Sequence, residues 1–330
     1  MKLGTLKNPN RLDGDLVVVS RDNQTAVRAG HIAPSLREAV ETWSESEPKL
    51  QELYEALNAG TAENAFPVRL EDFHSPMPRS FGWIDGSAFI QHIKLVRQAR
   101  NAPLPEGLHT DPLVYQGGSD TFLAPDEDVP LIDPSHGMDF EGEVAVITDN
   151  VPMGTKEADA GQYIRLVMLC NDVSLRGLIP NELKKGFGFY VSKPSSAFAP
   201  FALTPDELGD AWKDGRVHLP LLVDYNDGFF GNADAGHMHF SFPRLIEHCA
   251  MTRRLSAGTI VGSGTVANED TSRGSSCLAE KRMLEKINTG EFVTPFMKVG
   301  DTIKIEMKDE AGNNLFGTIQ QKIADASDCK

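Results

Sequence analysis

Four runs of β-branched and apolar residues after position 139 constrain the fold of this chain most. Each run is bounded by Gly, Asp or Asn, as strands usually are. The runs lie at 140–148, 218–226, 259–266 and 301–307. Helices are predicted between some of them, at 156–170 and 242–252. Because this order is neither a regular strand–helix alternation nor all strand, it predicts an α+β fold with a largely antiparallel, coiled sheet.

The first 72 residues predict a smaller unit. Turn-forming runs separate three short strands, placed at 3–6, 15–20 and 25–29. A helix is predicted at 35–57, and the two prolines of FHSPMPRS at 73–80 favour an extended linker. We therefore predict a small β-rich domain at 1–72 and a larger domain at 73–330, with a helix at 87–101.

The charge of the chain excludes several classes of partner. Among 330 residues, 32 Lys and Arg stand against 47 Asp and Glu, a net charge of −15. Binding to nucleic acid or to an anionic membrane needs a basic face, so neither partner is expected. The chain has no apolar stretch near the ~20 residues of a membrane span, no signal-peptide pattern and four widely spaced cysteines. We therefore expect a cytoplasmic protein with reduced thiols, in which an anionic substrate needs local positive charge.

Two glutamates inside the first strand run are the sharpest local feature. A period of two places Glu141 and Glu143 on one face with Ala145, while Val144 and Val146 occupy the other. Apolar neighbours on both faces indicate a buried strand, where two carboxylates cannot both stay ionised without a cation. A divalent metal held by oxygen ligands would satisfy them. The alternative is an exposed strand end with two solvated glutamates, and the residues alone leave both possibilities open.

Two further acids have ordinary alternatives. Asp172 and Arg176 in NDVSLR could form a turn with a surface ion pair. Asp85 lies seven residues before His92, but Asp-Gly-Ser is also a common turn and a lone histidine is more often structural. The GSGT segment at 262–265 does not complete GxGxxG, so a nucleotide site is not expected.

Together, these segments resemble the fumarylacetoacetate hydrolase family. The matching motifs are Asp85 with His92, the ExE pair, NDxSxR at 171–176, SKP at 192–194, GSGT and GSSCLAE at 274–280. The resemblance covers residues 73–330, and 1–72 resemble the small SH3-like leading domain of longer members. It implies an α+β fold with a mixed β-roll catalytic domain. It also implies a homodimer that binds Mg²⁺ or Ca²⁺, with Mn²⁺ as a further option.

The resemblance also assigns roles to individual residues. The metal ligands it implies are Asp85, Glu141, Glu143 and Asp172. The catalytic residues it implies are His92, Glu280, Lys193 and Arg176. The expected substrate contacts are Ser87, Arg100, Tyr115 and Thr265. For Arg100 and Tyr115 a helix-terminal charge and simple packing are equally reasonable roles.

The implied activity is metal-dependent hydrolysis of a C–C bond in a 3,5-dioxo acid or acylpyruvate, as in aromatic amino acid catabolism. One alternative is hydration, isomerisation or decarboxylation of a 2-oxo acid at the same metal. Another is a binding protein whose metal only stabilises the fold. Ser87 stands where fumarylacetoacetases carry a tyrosine, and Val173 replaces a common aromatic residue. The resemblance therefore supports the metal site and the pair of His92 with Glu280, which we call the dyad, more strongly than it supports a particular substrate.

Overall fold

The computed structural model describes residues 1–99, 103–104 and 106–329, so the predicted substrate contact Arg100 lies outside the described residues. The strands are β1 (Lys2–Leu6), β2 (Asp15–Val19), β3 (Thr25–Arg28), β4 (Phe66–Pro67), β5 (Phe73–His74), β6 (Trp83–Gly86), β7 (Val114–Gly117), β8 (Val129–Leu131), β9 (Met138–Asp139), β10 (Gly142–Thr148), β11 (Ile164–Asn171), β12 (Ser174–Leu175), β13 (Ala197–Phe198), β14 (Phe201–Leu203), β15 (Trp212–Lys213), β16 (Arg216–Val217), β17 (Leu221–Tyr225), β18 (Gly228–Gly231), β19 (Ile260–Gly262), β20 (Thr302–Met307) and β21 (Ile319–Asp325). The α-helices are α1 (Leu36–Glu41), α2 (Trp43–Asn58), α3 (Ile90–Ala99), α4 (Glu157–Ala160), α5 (Ile179–Leu183), α6 (Phe242–Cys249) and α7 (Leu278–Thr289).

One large sheet organises the molecule. Its strand order is β4-β3-β2-β1-β14-β11-β10-β19-β6-β7, with β13 beside β11 and β5 beside β1. A second sheet has the order β18-β17-β20-β21-β8. Among the described strands only β19 with β6 and β21 with β8 pair in parallel. This mixed, mostly antiparallel arrangement confirms the predicted α+β class.

Strand β10 lies in the middle of the large sheet and is buried along its whole length. Val144 and Val146 belong to one hydrophobic cluster, while Ala145 and Ile147 belong to another on the opposite side. The alternation predicted for this strand is therefore confirmed. Because both faces are covered by apolar side chains, any carboxylate carried into this layer is removed from water.

The predicted helix at 156–170 is wrong beyond its first turns. Helix α4 ends at Ala160, and residues 164–171 form the central strand β11, which pairs with β10, β13 and β14. The run IRLVMLCN is almost entirely buried, and a continuous apolar run does not distinguish a buried strand from a buried helix. The predicted helix at 35–57 is present but is divided at Thr42 into α1 and α2.

The first strand joins the N-terminal region to the rest of the sheet. β1 pairs antiparallel with β14, where Lys2 lies opposite Leu203 and Gly4 opposite Phe201. Helices α1 and α2 cover this region with apolar side chains such as Trp43. An SH3-like form of the N-terminal domain stays a prediction. None of the described helices is both long and apolar enough to span a membrane.

Candidate metal centre and catalytic dyad

Three acids from separate strands of the large sheet meet in its interior. Asp85 lies on β6, Glu143 on β10, and Asp172 directly follows β11. All three side chains are buried, and one oxygen from each lies within 4.8 Å of the others. The strands bring them together because β11, β10, β19 and β6 are consecutive neighbours in the sheet. We call Asp85, Glu143 and Asp172 the acid triad.

The GSGT segment fixes Asp85 in this triad. Gly262 lies opposite Asp85 in the parallel pair of β19 and β6. A Cβ atom on Gly262 would lie 2.4 Å from Asp85 Oδ1, so only glycine leaves room for the carboxylate. The amide of Gly264, a residue with a φ of +76°, donates a hydrogen bond to Asp85 Oδ1 at 2.9 Å. The segment thus positions a carboxylate of the acid triad.

Glu143 is the least satisfied member of the triad. Its side chain is fully buried, and neither carboxylate oxygen has a hydrogen-bond partner within the described parts of the chain. Burial, followed by the charges of Asp85 and Asp172, raises the pKa of Glu143 well above its ordinary value. Burial likewise raises the pKa of Asp85. Buried acceptors without donors are what a hard divalent cation satisfies, so these residues fit Mg²⁺, Ca²⁺ or Mn²⁺.

Asp172 is held by three donors. Tyr115 Oη, Lys193 Nζ and Ser196 Oγ each lie 2.6 Å from one of its oxygens. Tyr115, predicted as a substrate contact, therefore also orients a triad member. Burial and then the charge of Asp172 raise the pKa of Tyr115 well above its ordinary value, which keeps its hydroxyl a donor.

Glu141 has a different environment, although it lies only two residues from Glu143. Its oxygens pair with Lys193 Nζ at 2.6 Å and with Arg176 Nη2 at 2.5 Å. Burial acts to raise the pKa of Glu141, but the charges of Arg176 and Lys193 outweigh it and lower the pKa to about 2. Glu141 is not among the three clustered acids, so its role as a fourth metal ligand stays a prediction.

The two buried cations are themselves strongly held. Burial acts to lower the pKa of Lys193, yet the charges of Asp172 and Glu141 raise it overall. Arg176 also donates to Asp139 at 2.9 Å, and its pKa is raised by Glu141 and Asp139 against the effect of burial. Both shifts favour the positively charged form of these side chains.

A charge count indicates what the centre lacks. Together with Asp139, which also pairs with Arg176, its four predicted carboxylate ligands carry five negative charges when ionised, and Lys193 and Arg176 neutralise two of them. A divalent cation would neutralise two more. The further acid Asp139 accepts the amide hydrogens of Leu278 and Ala279 at the start of α7, where the helix dipole favours a carboxylate.

The predicted dyad, His92 with Glu280, lies at a cavity beside the acid triad. His92 on α3 and Glu280 on α7 face each other, with Nδ1 and Oε2 3.6 Å apart. The cavity has a volume of about 240 Å³. The predicted residues that line it are Asp85, Ser87, His92, Tyr115, Glu141, Arg176, Lys193 and Thr265. Glu143, Asp172 and Glu280 do not line it and are buried beside these residues. The structure therefore brings every described candidate residue to one place.

Three other residues of the site were not predicted. Asp139 binds Arg176, Ser196 binds Asp172, and Phe189 stacks edge-on against Tyr115 with ring centres 5.4 Å apart. A period of two could have placed Asp139 on the same face as the two glutamates. Ser196 and Phe189 carry no local signal, because their positions depend on how the loop after α5 returns to the sheet.

Comparison with known sequences identifies the class of protein. Residues 82–324 match the description "Fumarylacetoacetate (FAA) hydrolase C-terminal", and residues 1–79 match "Fumarylacetoacetase N-terminal domain 2". These matches span nearly the whole chain. The chain belongs to the fumarylacetoacetate hydrolase family.

Individual relatives are distant and differ in activity. The chain is 26% identical over 203 residues to the mitochondrial oxaloacetate tautomerase FAHD1 of Bos taurus, covering 58% of this chain and 83% of that one. It is 26% identical over 168 residues to a 2,4-didehydro-3-deoxy-L-rhamnonate hydrolase of Sphingomonas sp., covering 50% and 55%. An uncharacterized protein of Archaeoglobus fulgidus is 26% identical over 167 residues, 51% of this chain and 62% of that protein.

A solved structure supports the fold over the full length. The fumarylacetoacetate hydrolase of Exiguobacterium antarcticum superposes with a TM-score of 0.66, covering 98% of this chain and 99% of the other. Sequence identity is 15%, so this likeness concerns the fold alone.

Proposed function

We propose that this protein is a metal-dependent hydrolase that cleaves the C–C bond of a 3,5-dioxo acid or an acylpyruvate. The observation that carries the proposal is the meeting, at one cavity, of the acid triad, the His92–Glu280 pair and two buried cations. A bound Mg²⁺, Ca²⁺ or Mn²⁺ would polarise a chelated carbonyl and stabilise an enolate, which is worth several kcal/mol of the barrier. Asp85, Glu143 and Asp172 would hold it, with Glu141 as the fourth ligand.

The protein side chains supply the proton transfer. Glu280 faces Nδ1 of His92, which leaves Nε2 to take a proton from water at the cavity. The water oxygen then bonds to the carbonyl carbon, and Lys193 and Arg176 offset the charge that develops on the carbonyl oxygen. When the C–C bond breaks, its electron pair remains on the leaving fragment as an enolate. The proton held by His92 returns to that fragment.

A second candidate is tautomerisation or isomerisation of a 2-oxo acid. The name of the Bos taurus relative, an oxaloacetate tautomerase, favours it. The same His92 could move a proton between carbon and oxygen without activating water. Hydration or decarboxylation of a 2-oxo acid would use the same centre.

A homodimer and a cytoplasmic location also stay predictions.

Assays of acylpyruvates, fumarylacetoacetate and oxaloacetate with Mg²⁺, and again after chelation, separate these activities. We expect two carbon fragments from a dioxo acid, with turnover lost in EDTA and restored by Mg²⁺. Turnover that continues in EDTA contradicts the metal mechanism. His92→Gln should abolish hydrolysis, whereas His31→Gln, at an exposed histidine, should not. Enol–keto conversion of oxaloacetate without fragments from any dioxo acid would establish the second candidate instead.

A further inference from the structure

A second cluster of metal-binding side chains lies beside the acid triad. His92, Cys277 and Glu280 each place one donor atom within 4.8 Å of the other two. Cys277 is the N-cap of α7, and Glu280 is in the first turn of the same helix. The packing of α3 against α7 brings His92 to them. The proposed hydrolytic mechanism uses His92 and Glu280 but gives no role to the thiol.

Two atoms of this cluster lack partners. Oε2 of Glu280 belongs to a side chain that is only 2% exposed, and it has no hydrogen-bond partner among the residues the structure describes. Nδ1 of His92 is also buried and unpartnered within the same described residues. The two atoms are 3.6 Å apart, too far for a hydrogen bond. A buried carboxylate oxygen without a donor points to a cation or a proton that would occupy the gap.

The spacing agrees with a tetrahedral ion. Zinc bonds to nitrogen and carboxylate oxygen are about 2.0–2.2 Å long, so two such ligands at a tetrahedral angle lie roughly 3.4 Å apart. The observed 3.6 Å between Nδ1 and Oε2 is close to that value. The donor set of nitrogen, sulfur and oxygen suits Zn²⁺, whereas the all-oxygen acid triad suits harder ions.

We propose that His92, Cys277 and Glu280 form a second metal site, specific for Zn²⁺, with its fourth position open to the cavity. The thiolate and the carboxylate carry two negative charges, which balance the two positive charges of the ion. The amide of Glu280 donates to Cys277 Sγ at 3.4 Å. Burial raises the pKa of the Cys277 thiol well above its ordinary value, so Zn²⁺ must displace that proton when it binds. Zinc bound to Nδ1 leaves the proton of the neutral imidazole on Nε2, so His92 can no longer take a proton from water. If the proposed hydrolysis is correct, Zn²⁺ is therefore an inhibitor.

Cobalt spectroscopy tests the site without an activity assay. Co²⁺ replaces Zn²⁺ in tetrahedral sites, and a cysteine ligand gives it an intense thiolate-to-metal charge-transfer band in the near ultraviolet. Purified protein is titrated with Co²⁺ in excess Mg²⁺, so that the acid triad is occupied by the harder ion. We expect the band to appear at one Co²⁺ per chain and to disappear when Zn²⁺ is added. No thiolate band in folded protein overturns the proposal.

Variants locate the site. Cys277→Ser should remove the band and weaken Zn²⁺ binding by more than roughly 100-fold, because loss of a ligand costs more than loss of its outer partner. Cys249→Ser is the matched control and should keep the band; Cys249 is a free cysteine on α6. A band that persists in Cys277→Ser, or is lost in Cys249→Ser, contradicts the assignment.

A second substitution guards against misfolding. Serine is a good N-cap, so Cys277→Ser should retain α7, which circular dichroism checks. Glu280→Gln keeps the shape of the side chain and should lower Co²⁺ affinity while the thiolate band remains at saturation. Unchanged Co²⁺ affinity in Glu280→Gln overturns the proposal. Because these readouts need no substrate, they remain decisive even if the proposed hydrolysis fails.

Discussion

The buried carboxylates Glu141 and Glu143 have opposite electrostatic environments. We call Glu141 the paired half of the carboxylate cluster, and Glu143 with Asp85 the unpaired half. In the paired half, both oxygens of Glu141 meet cations, and the charges of Arg176 and Lys193 overcome burial to bring its pKa to about 2. In the unpaired half, Glu143 has no donor within the described chain, and burial raises its pKa well above the ordinary value. Glu143 lies on β10, and Glu141 lies one residue before that strand. The difference shows that the protein provides its own counter-charge on one side and leaves the other for a metal.

The largest expected effect comes from the unpaired half. Glu143→Gln removes a proposed metal ligand while keeping its shape, and we expect metal-dependent turnover to fall by about three orders of magnitude, since charge assistance by a metal is worth several kcal/mol. Without metal, the free energy of unfolding should stay equal or rise, because a buried unpaired carboxylate is removed. Steady-state kinetics and calorimetric Mg²⁺ titration measure the first effect, and urea unfolding in EDTA the second. Wild-type Mg²⁺ affinity in this variant would show that Glu143 is not a metal ligand.

The paired half should instead control stability. Lys193→Met leaves Glu141 with Arg176 alone and leaves Asp172 without a cation among the described residues, so the free energy of unfolding in EDTA should fall by about 3–5 kcal/mol. The matched control is Lys185→Met, at an exposed lysine, which should change it by less than about 0.5 kcal/mol. Equal stability of the two variants would show that these buried ion pairs do not hold the fold.

A smaller effect tests how the unpaired half is shaped. Gly262→Ala introduces a Cβ 2.4 Å from both Asp85 Oδ1 and the Trp83 ring, so one of them must move. We expect a loss of about 1–3 kcal/mol in stability, typical of overpacking, and weaker Mg²⁺ binding. Gly30→Ala is the control, since nothing lies within 4 Å of the point where its new Cβ would stand. If both variants bind Mg²⁺ alike, Asp85 is not a ligand that depends on this glycine.

Part of this cluster follows from local sequence. Alternation within one strand places Glu141 and Glu143 on one face but leaves their burial open, and only the resemblance to the family adds Asp85 and Asp172 as further ligands. The local pattern could not show which glutamate meets Lys193 and Arg176, because both cations come from loops that return to the sheet. The error at β11 has a related cause, since burial on both faces is a property of the neighbouring strands. The position of Cys277 beside His92 likewise depends on how α3 packs against α7.

The smallest effect comes from a half-buried group outside the site, His74 on β5, which pairs with β1. Burial, and then the charge of Lys7, lowers the pKa of His74 to about 4, below its ordinary value of 6.5. Since the folded pKa lies below the unfolded one, His74 costs no stability above about pH 6.5, and stability is lost as the pH falls towards 4. We expect a loss of about 1 kcal/mol between about pH 7 and pH 5.5, measured by urea unfolding.

His74→Gln should remove that part of the acid sensitivity, whereas His31→Gln, at an exposed histidine, should leave it unchanged. Equal acid sensitivity in both variants would show that burial of His74 is not its source. A half-buried histidine such as His74 avoids its charge by staying neutral near pH 7, so its cost appears only in acid. A buried glutamate among other acids must take up a proton or a cation at that pH, and this is why the unpaired half of the cluster is suited to a metal.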